Sequence, residues 1–188
     1  PSCDSPGGSG ESLVWKKPSI PMNQVPSREY GLSPVIGKDP WVLILGSFPS
    51  KMSLAANLYY ANPRNHFWRI MQILLSLETS RATTENQEAL TEHHIALWDV
   101  IASREFQVGA GDRDIKNPVY QDIPTFLRSY PTLRCVALNG GKAGECFRKI
   151  TRSAPVPDRI VVQQLPSTSP ANATSTFDQK LERWQTLL

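Results

Sequence analysis

The sequence predicts one α/β domain built on a central, mostly parallel four-stranded sheet with helices on both faces. Three observations support this fold class. Four short apolar runs are spaced along the chain, and each ends at or beside turn-forming residues. Amphipathic segments with helical spacing lie between these runs, so strands and helices alternate. A chain of 188 residues is also long enough to bury one substantial core.

The predicted strands are nearly continuous apolar runs, the pattern of parallel strands that are buried on both faces. The first strand is Trp41–Leu45, bounded by Pro40 and Gly46. The other three predicted strands are 95–101, 133–138 and 159–165.

The predicted helices fill the intervals between the strands. Apolar residues spaced at i, i+3, i+4, i+7 and i+8 from Phe67 predict an amphipathic helix that ends near Leu77. Thr176 and Gln179 form a capping box that predicts the start of the last helix. Further helices are predicted at 122–128 and 142–151, with a short exposed helix within 79–94 and a loop containing Gly109, Gly111 and Pro118.

The residues before the first strand have a different composition. Residues 1–11 are rich in Ser, Gly and Pro, and we expect a disordered tail there. Residues 12–40 contain five prolines among apolar residues, so we expect an extended segment packed on the domain. Residues 41–188 then form the α/β domain itself.

Composition restricts the function classes without choosing one. A net charge of +3 and a pI near 8.9 permit a nucleic-acid partner but do not require it. The three cysteines are too few and too widely spaced for a disulfide framework or a four-cysteine metal or iron–sulfur site. The sequence has neither a long apolar span nor a signal-peptide pattern. We expect a monomeric intracellular protein that needs no metal and no membrane.

The binding side of the domain is predicted from the positions of the strand ends. Gly46, Asn139 and Pro166 each follow a strand directly, and open α/β sheets bind ligands at the carboxyl ends of their strands. Two adjacent tyrosines, Tyr59 and Tyr60, and an asparagine, Asn65, follow within twenty residues of Gly46. A flat aromatic surface beside neutral hydrogen-bonding groups suits a planar polar ring.

The run from Val42 to Trp68 resembles the first motif of the uracil-DNA glycosylase superfamily, in the variant of the hypoxanthine-DNA glycosylase family. A second block, 165–171, resembles the second motif and lies about 120 residues after the first. The resemblance extends over about residues 30 to 188. The residues that carry the first motif are Gly46, Ser47, Pro49, Ser53, Leu54, Tyr59, Tyr60, Ala61, Pro63, Arg64, Asn65, Phe67 and Trp68.

The resemblance implies a DNA glycosylase that takes a deaminated base out of DNA and excises it in base excision repair, without cofactor. Hypoxanthine is the expected base, and uracil is the second candidate. Both present a carbonyl beside a ring N–H, so pocket chemistry alone does not separate them. Since the matched motifs hold no lysine at the catalytic position, we expect a monofunctional enzyme that leaves an abasic site.

Asn65 is the implied catalytic residue, which would align water and support the developing cation. Many superfamily members use an Asn or Asp at the position of Phe48, which cannot orient water. Asn65 also directly precedes the helix that begins near His66, so it can equally be a helix cap. The expected base-binding residues are Gly46, Ser47, Phe48, Tyr60 and Asn139. Tyr60 would stack on the base, although a tyrosine there can also simply pack in the core.

The expected DNA contacts come from short polar segments near the strand ends. Ser50, Lys51 and Ser53 follow the first strand, and Lys142 opens the helix after Gly140-Gly141. The loop of Pro166, Ser167, Thr168, Ser169 and Pro170 resembles one that enters the duplex and pinches phosphates. Each of these segments also has a plain interpretation as an ordinary turn or proline-rich loop.

Two other function classes remain open from the sequence. The replacement at Phe48 is compatible with a catalytically idle nucleic-acid-binding module on the same fold. A hydrolase of free nucleosides is the other alternative. The carboxylates nearest the end of the second strand are Asp99, Asp112 and Asp114. A Gly-Ser-Leu-Asp-like loop of the family is only partly matched there, by Gly109-Ala110-Gly111-Asp112, so no role is assigned to them.

Overall fold

The computed structural model describes residues 27–106 and 115–187. The predicted tail, the first part of the predicted extended segment, and Gly109, Gly111, Asp112 and Asp114 lie outside these residues. The strands are β1 (Ser27–Tyr30), β2 (Val42–Gly46), β3 (Ile95–Asp99), β4 (Ile101–Phe106), β5 (Lys116–Tyr120), β6 (Cys135–Asn139) and β7 (Val161–Leu165). The helices are α1 (Lys51–Ala56), α2 (Phe67–Leu75), α3 (Thr84–Glu92), α4 (Ile123–Ser129), α5 (Gly141–Thr151) and α6 (Phe177–Gln185).

The central sheet has four parallel strands in the order β3-β2-β6-β7. All four strands were predicted, and the predicted fold class is confirmed. The register places Gly46 beside Asp99, and Asn139 beside Leu165. The carboxyl ends of the four strands therefore meet at one edge of the sheet.

Two apolar clusters cover the two faces of this sheet. Alternate residues of β2 divide between them: Ile44 belongs to the cluster with α2 and Trp184 of α6, while Leu43 and Leu45 belong to the cluster with α4 and α5. Strand side chains point alternately to opposite faces, so a strand with helices on both sides must be apolar throughout. This is why β2 reads as a continuous apolar run.

A second sheet was not predicted. It contains three antiparallel strands in the order β1-β4-β5. The predicted strand 95–101 is wrong at its end, because β3 stops at Asp99 and Ile101 already belongs to β4. Pro118, predicted in a loop, lies in β5, which pairs with β4 alone and so can accept a proline at the edge.

Most helices match the prediction, and the segment before the central sheet is extended in part. The helix α1 was missed, since six residues are too few to show a clear apolar period. The capping box of α6 is present, with Thr176 accepting from the backbone of Gln179 and Gln179 accepting from that of Thr176. Within residues 27–40, β1 pairs with β4 and Val35 forms a bridge with Leu97.

Candidate active site

A cavity of about 470 Å³ lies at the carboxyl ends of the central strands. It brings together the two motif regions that are about 120 residues apart in sequence. The cavity is also lined by Asp99, which was not among the predicted site residues. Of the predicted residues, Gly46, Ser47, Phe48, Ser50, Ser53, Tyr60, Asn65, Asn139, Ser167, Thr168, Ser169 and Pro170 line it, whereas Lys51, Lys142 and Pro166 do not.

The floor of the cavity is formed where β2 and β3 end. Gly46 lies beside Asp99, and its carbonyl accepts from the backbone N–H of Val100 at 3.0 Å. A methyl group on Gly46 would overlap Asp99 Oδ1 and lie 3.1 Å from the hydroxyl oxygen of Tyr60. Only glycine at this position therefore leaves room for the carboxyl group of Asp99 and the phenol of Tyr60 beside the strand end.

Tyr60 is held in an unusual backbone conformation. Its φ of +55° lies in the left-handed region, which is uncommon for an aromatic residue and is often found at functional sites. Its ring stacks on Phe67, with centroids 4.0 Å apart, so a ligand could use only the opposite ring face or the hydroxyl. That hydroxyl is buried and has no hydrogen-bond partner among the described residues. Burial, followed by the charge of Asp99, raises the pKa of Tyr60, so the phenol stays neutral at physiological pH.

The turn that carries Tyr60 is fixed from both sides. The hydroxyl of Ser53 accepts from the N–H of Ala61 at 3.2 Å, and Trp68 Nε1 donates to the carbonyl of Tyr59 at 2.8 Å. Gln87 Oε1 accepts from the N–H of Tyr59 at 2.9 Å. Ser53 is only 2% exposed, so its hydroxyl positions this turn and has little access to a phosphate.

Asn65 lines the cavity and lies one residue before the N-cap of α2, which is His66 and not Asn65 as predicted. Its Oδ1 accepts from the backbone N–H of Phe67 at 3.0 Å at the start of α2. The amide plane is thereby fixed, while the second lone pair of Oδ1 and both Nδ2 hydrogens are outside this bond. The hydrogen bond to the N–H of Phe67 and the expected catalytic role therefore use different lone pairs and hydrogens of the Asn65 amide.

Phe48 packs against a charged pair of the smaller sheet. The guanidinium of Arg104 lies 4.6 Å from the Phe48 ring centroid, and Arg104 pairs with Glu29 at 2.9 Å. Arg104 is only 3% exposed. The antiparallel sheet that the sequence did not predict therefore supports one wall of the cavity.

The loop of the second motif is anchored to the sheet through Asn139. Nδ2 of Asn139 donates to the hydroxyl of Thr168 and its Oδ1 accepts from the N–H of Thr168, both at 2.9 Å. The carbonyl of Thr168 in turn accepts from the N–H of His66, next to Asn65, at 3.0 Å. Thr168 is fully buried, so it joins the two motifs and its hydroxyl is not available to DNA.

The outer part of this loop is held by α6 and by Gly140. Trp184 Nε1 donates to the carbonyl of Pro166 at 3.0 Å. Gly140 has a φ of +93°, and a methyl group on it would lie 2.6 Å from Cβ of Ser167. The buried Lys180 donates to the carbonyl of Asn172 at 3.0 Å. These contacts fix the shape of the loop.

Asp99 is a buried carboxyl group in surroundings that disfavour its charged form. It is 4% exposed, and its Oδ2 has no hydrogen-bond partner among the described residues. Burial raises the pKa of the Asp99 carboxyl from 3.8 to about 7. Groups with pKa values displaced toward neutrality in a cavity are frequent at functional sites. The sequence signal was a charged residue inside an otherwise apolar run.

The predicted cationic DNA contacts lie outside the cavity. Lys51 begins α1, and its side chain is exposed. Lys142 is half-exposed and pairs with Glu145 at 3.2 Å. A larger depression of about 950 Å³ adjoins the cavity and is lined by Lys142, Pro166 and Arg183.

Neither a metal-binding cluster nor a membrane-spanning helix is found in the described part of the chain. No group of three His, Cys, Asp or Glu residues within 27–106 and 115–187 is arranged to hold a metal ion. No helix in the same part of the chain is long and apolar enough to cross a membrane.

Comparisons with known proteins find relatives that share most of this chain. The sequence model of the Uracil DNA glycosylase superfamily matches residues 34–188. A protein named hypoxanthine DNA glycosylase from Methanosarcina barkeri is 31% identical over 154 residues, covering 81% of this chain and 94% of that protein. One of the same name from Methanosarcina acetivorans is 32% identical over 158 residues, covering 82% and 94%.

A solved structure has a similar fold. The solution NMR structure of a protein from Methanosarcina acetivorans, described as a candidate uracil DNA glycosylase, is 29% identical and aligns with a TM-score of 0.70. The alignment covers 86% of this chain and 96% of that one. The sequence match over residues 34–188 includes both motif regions that line the cavity, and the chain belongs to the uracil-DNA glycosylase superfamily.

Proposed function

We propose that this protein is a monofunctional DNA glycosylase that removes a deaminated base, with hypoxanthine as the first substrate and uracil as the second. The observation that carries the proposal is the convergence of Asn65, Tyr60 and the loop residues Ser167–Pro170 on one cavity at the strand ends. Two relatives that share most of this chain are named hypoxanthine DNA glycosylase. Its cellular role would be the first step of base excision repair.

The cavity has the size and polarity that a single base requires. Ligand cavities commonly measure about 300–1,000 Å³, and this one is near the lower end of that range. A base must leave the duplex to enter it, which costs a few kcal/mol that pocket contacts offset. The neighbouring backbone of Gly46 to Phe48 and the ring of Tyr60 would receive the base.

Asn65 would act on the attacking water. As the N-glycosidic bond breaks, the sugar approaches an oxocarbenium ion, and the reaction needs a water held close to the sugar carbon. The lone pair of Oδ1 that is not used by the N–H of Phe67 can accept one water proton. An amide is not a strong base, so this assistance suits a dissociative reaction in which the leaving base departs before water attacks fully.

The absence of strand cleavage is proposed from the cavity lining. A lyase step would need an amine nucleophile at the sugar carbon. The residues that line the cavity, all within the described part of the chain, include Arg64 but no lysine. The product would therefore be an intact strand that carries an abasic site.

The test is base release from oligonucleotides that contain one inosine or one uracil, in single and double strands, with alkali to reveal abasic sites. Asn65→Ser keeps an oxygen that can accept from the N–H of Phe67 but loses the amide. We expect it to lower release by about 100-fold or more, while stability changes little. Asp122→Ala is the matched control, because it removes the side-chain cap of α4, a helix that does not line the cavity.

The alternatives give different results. Base release from the uracil oligonucleotide but not from the inosine oligonucleotide would support the glycosylase reaction and reject hypoxanthine as the first substrate. DNA binding without base release, unaffected by Asn65→Ser, would favour the idle binding module. Release from free nucleosides at a rate that DNA does not exceed would favour a nucleoside hydrolase.

A further inference from the structure

Asp99 is a buried carboxyl that lines the cavity without a partner for its Oδ2. It stands at the end of β3 beside Gly46, where the hydroxyl of Tyr60 is also without a partner. Two buried polar groups without partners beside the same glycine are costly to leave unsatisfied. Such groups at the floor of a cavity are suited to hydrogen bonds with a ligand.

The charged and titratable groups around Asp99 do not favour its ionised form. In the cavity lining these are Tyr59 and Tyr60, which are buried phenols, and Arg64, which is exposed at the rim. On the next strand, Arg104 is paired with a glutamate of β1. Because burial disfavours the charged carboxylate, the pKa of Asp99 rises to about 7 and the group holds its proton below that pH.

We propose that Asp99 acts as a neutral carboxylic acid that donates a hydrogen bond to a carbonyl oxygen of the extruded base and accepts one from the adjacent ring N–H. The inference rests on the proposed glycosylase function and adds a catalytic residue to it. A carboxylic acid presents one donor and one acceptor side by side, which matches the acceptor and donor of a lactam edge. A carboxylate would present acceptors only and would repel the carbonyl oxygen.

The donor is most useful as the bond breaks. The C1′–N bond cleaves with its electron pair going to the base, while the oxygen of a water bonds to C1′. The water loses a proton, and one proton is taken up by the base, so that sugar hydroxyl and free base result. Asp99 keeps its own proton and lowers the energy of the base anion through the hydrogen bond to its carbonyl oxygen.

The competing role for a carboxyl at this place is general base toward water. That role needs the ionised form, which burial disfavours here. It also duplicates the role of Asn65, which lies at the start of α2, whereas Asp99 lies at the strand ends with Gly46. The two roles predict opposite dependence on pH, because the acid is lost and the base is gained as pH rises through about 7.

The experiment measures single-turnover base release between pH 5.5 and 8.5 for the parent protein, Asp99→Asn and Asp99→Leu, on the oligonucleotide that the parent cleaves best. The parent rate should fall as pH rises, by about fifteenfold between pH 7 and 8.5. Asp99→Asn keeps a neutral donor at every pH, so its rate should stay within about tenfold of the parent at pH 6 and lack this fall. Asp99→Leu lacks the donor and should be slow throughout, while circular dichroism shows a folded protein.

Each other outcome overturns the inference. A parent rate that rises through pH 7 and collapses in Asp99→Asn would make Asp99 a general base. A pH profile that Asp99→Asn leaves unchanged would show that Asp99 does not set it. If the parent releases no base from any oligonucleotide, the glycosylase function fails and the role of Asp99 fails with it. If the parent protein releases base but the pH profiles differ from those expected, the glycosylase function stands and only the role of Asp99 is rejected.

Discussion

Replacing Asp99 by Asn should stabilise the protein, and should do so more strongly as pH rises. In the unfolded chain the carboxyl ionises near 3.8, whereas in the folded protein burial raises its pKa to about 7. Below pH 3.8 both states hold the proton, and Asp99 has no ionisation cost. Between these values the folded state alone holds it, so the free energy of unfolding falls as pH increases. Above pH 7 the cost is constant.

The magnitude follows from the two pKa values. The difference between about 7 and 3.8 corresponds to a maximal cost of about 4 kcal/mol, at about 1.4 kcal/mol for each pH unit. At pH 5 less than half of this cost is present, and at pH 8 nearly all of it. The advantage of Asp99→Asn over the parent should therefore grow by about 3 kcal/mol from pH 5 to pH 8.

Urea unfolding of both proteins at pH 5, 6, 7 and 8 measures this directly, because other titrating groups cancel in the difference. Asp122→Asn serves as the control. Asp122 is an exposed cap of α4, and its hydrogen bonds to Thr125 lower its pKa, so its replacement should give no change in this pH window. A difference between parent and Asp99→Asn that stays flat from pH 5 to 8 would refute the buried, protonated carboxyl.

Three further predictions concern the second motif and its DNA side. Gly140→Ala should destabilise the protein by about 2–3 kcal/mol and displace the loop at Ser167, because its φ is positive and its Cβ would clash; urea unfolding and base release measure both effects. Thr168→Val should cost about 1–3 kcal/mol by removing the acceptor of Asn139, whereas Thr168→Ser should not; equal unfolding midpoints would exclude this role. Lys142→Ala should weaken DNA binding and reduce the magnitude of the salt slope by about 1 if that lysine contacts a phosphate, and titrations at several salt concentrations decide this.

The central sheet could be predicted because its signal is local. Strands such as β2 are buried on both faces, so every residue must be apolar and the run is visible without knowledge of its neighbours. The smaller sheet gave no such signal. Its strand β4 contains Ser103, Arg104 and Glu105. Arg104 is buried because Glu29 pairs with its charge and the ring of Phe48 packs against its guanidinium. A charged residue is assigned to the surface when those partners are unknown.

The sequence by itself determined the four strands of the central sheet, most of the helices, the sheet edge at which the two motifs meet, and the motif residues Asn65 and Tyr60. These follow from hydrophobic period and from residue types at fixed spacing. The tertiary structure alone decided the burial of each site residue and its hydrogen-bond partners. It made Thr168 a buried link between the motifs, tied Asn65 Oδ1 to the N–H of Phe67, and removed the Asp99 carboxyl from water. Burial and hydrogen-bond partners come from segments distant in the chain, so no local pattern can specify them.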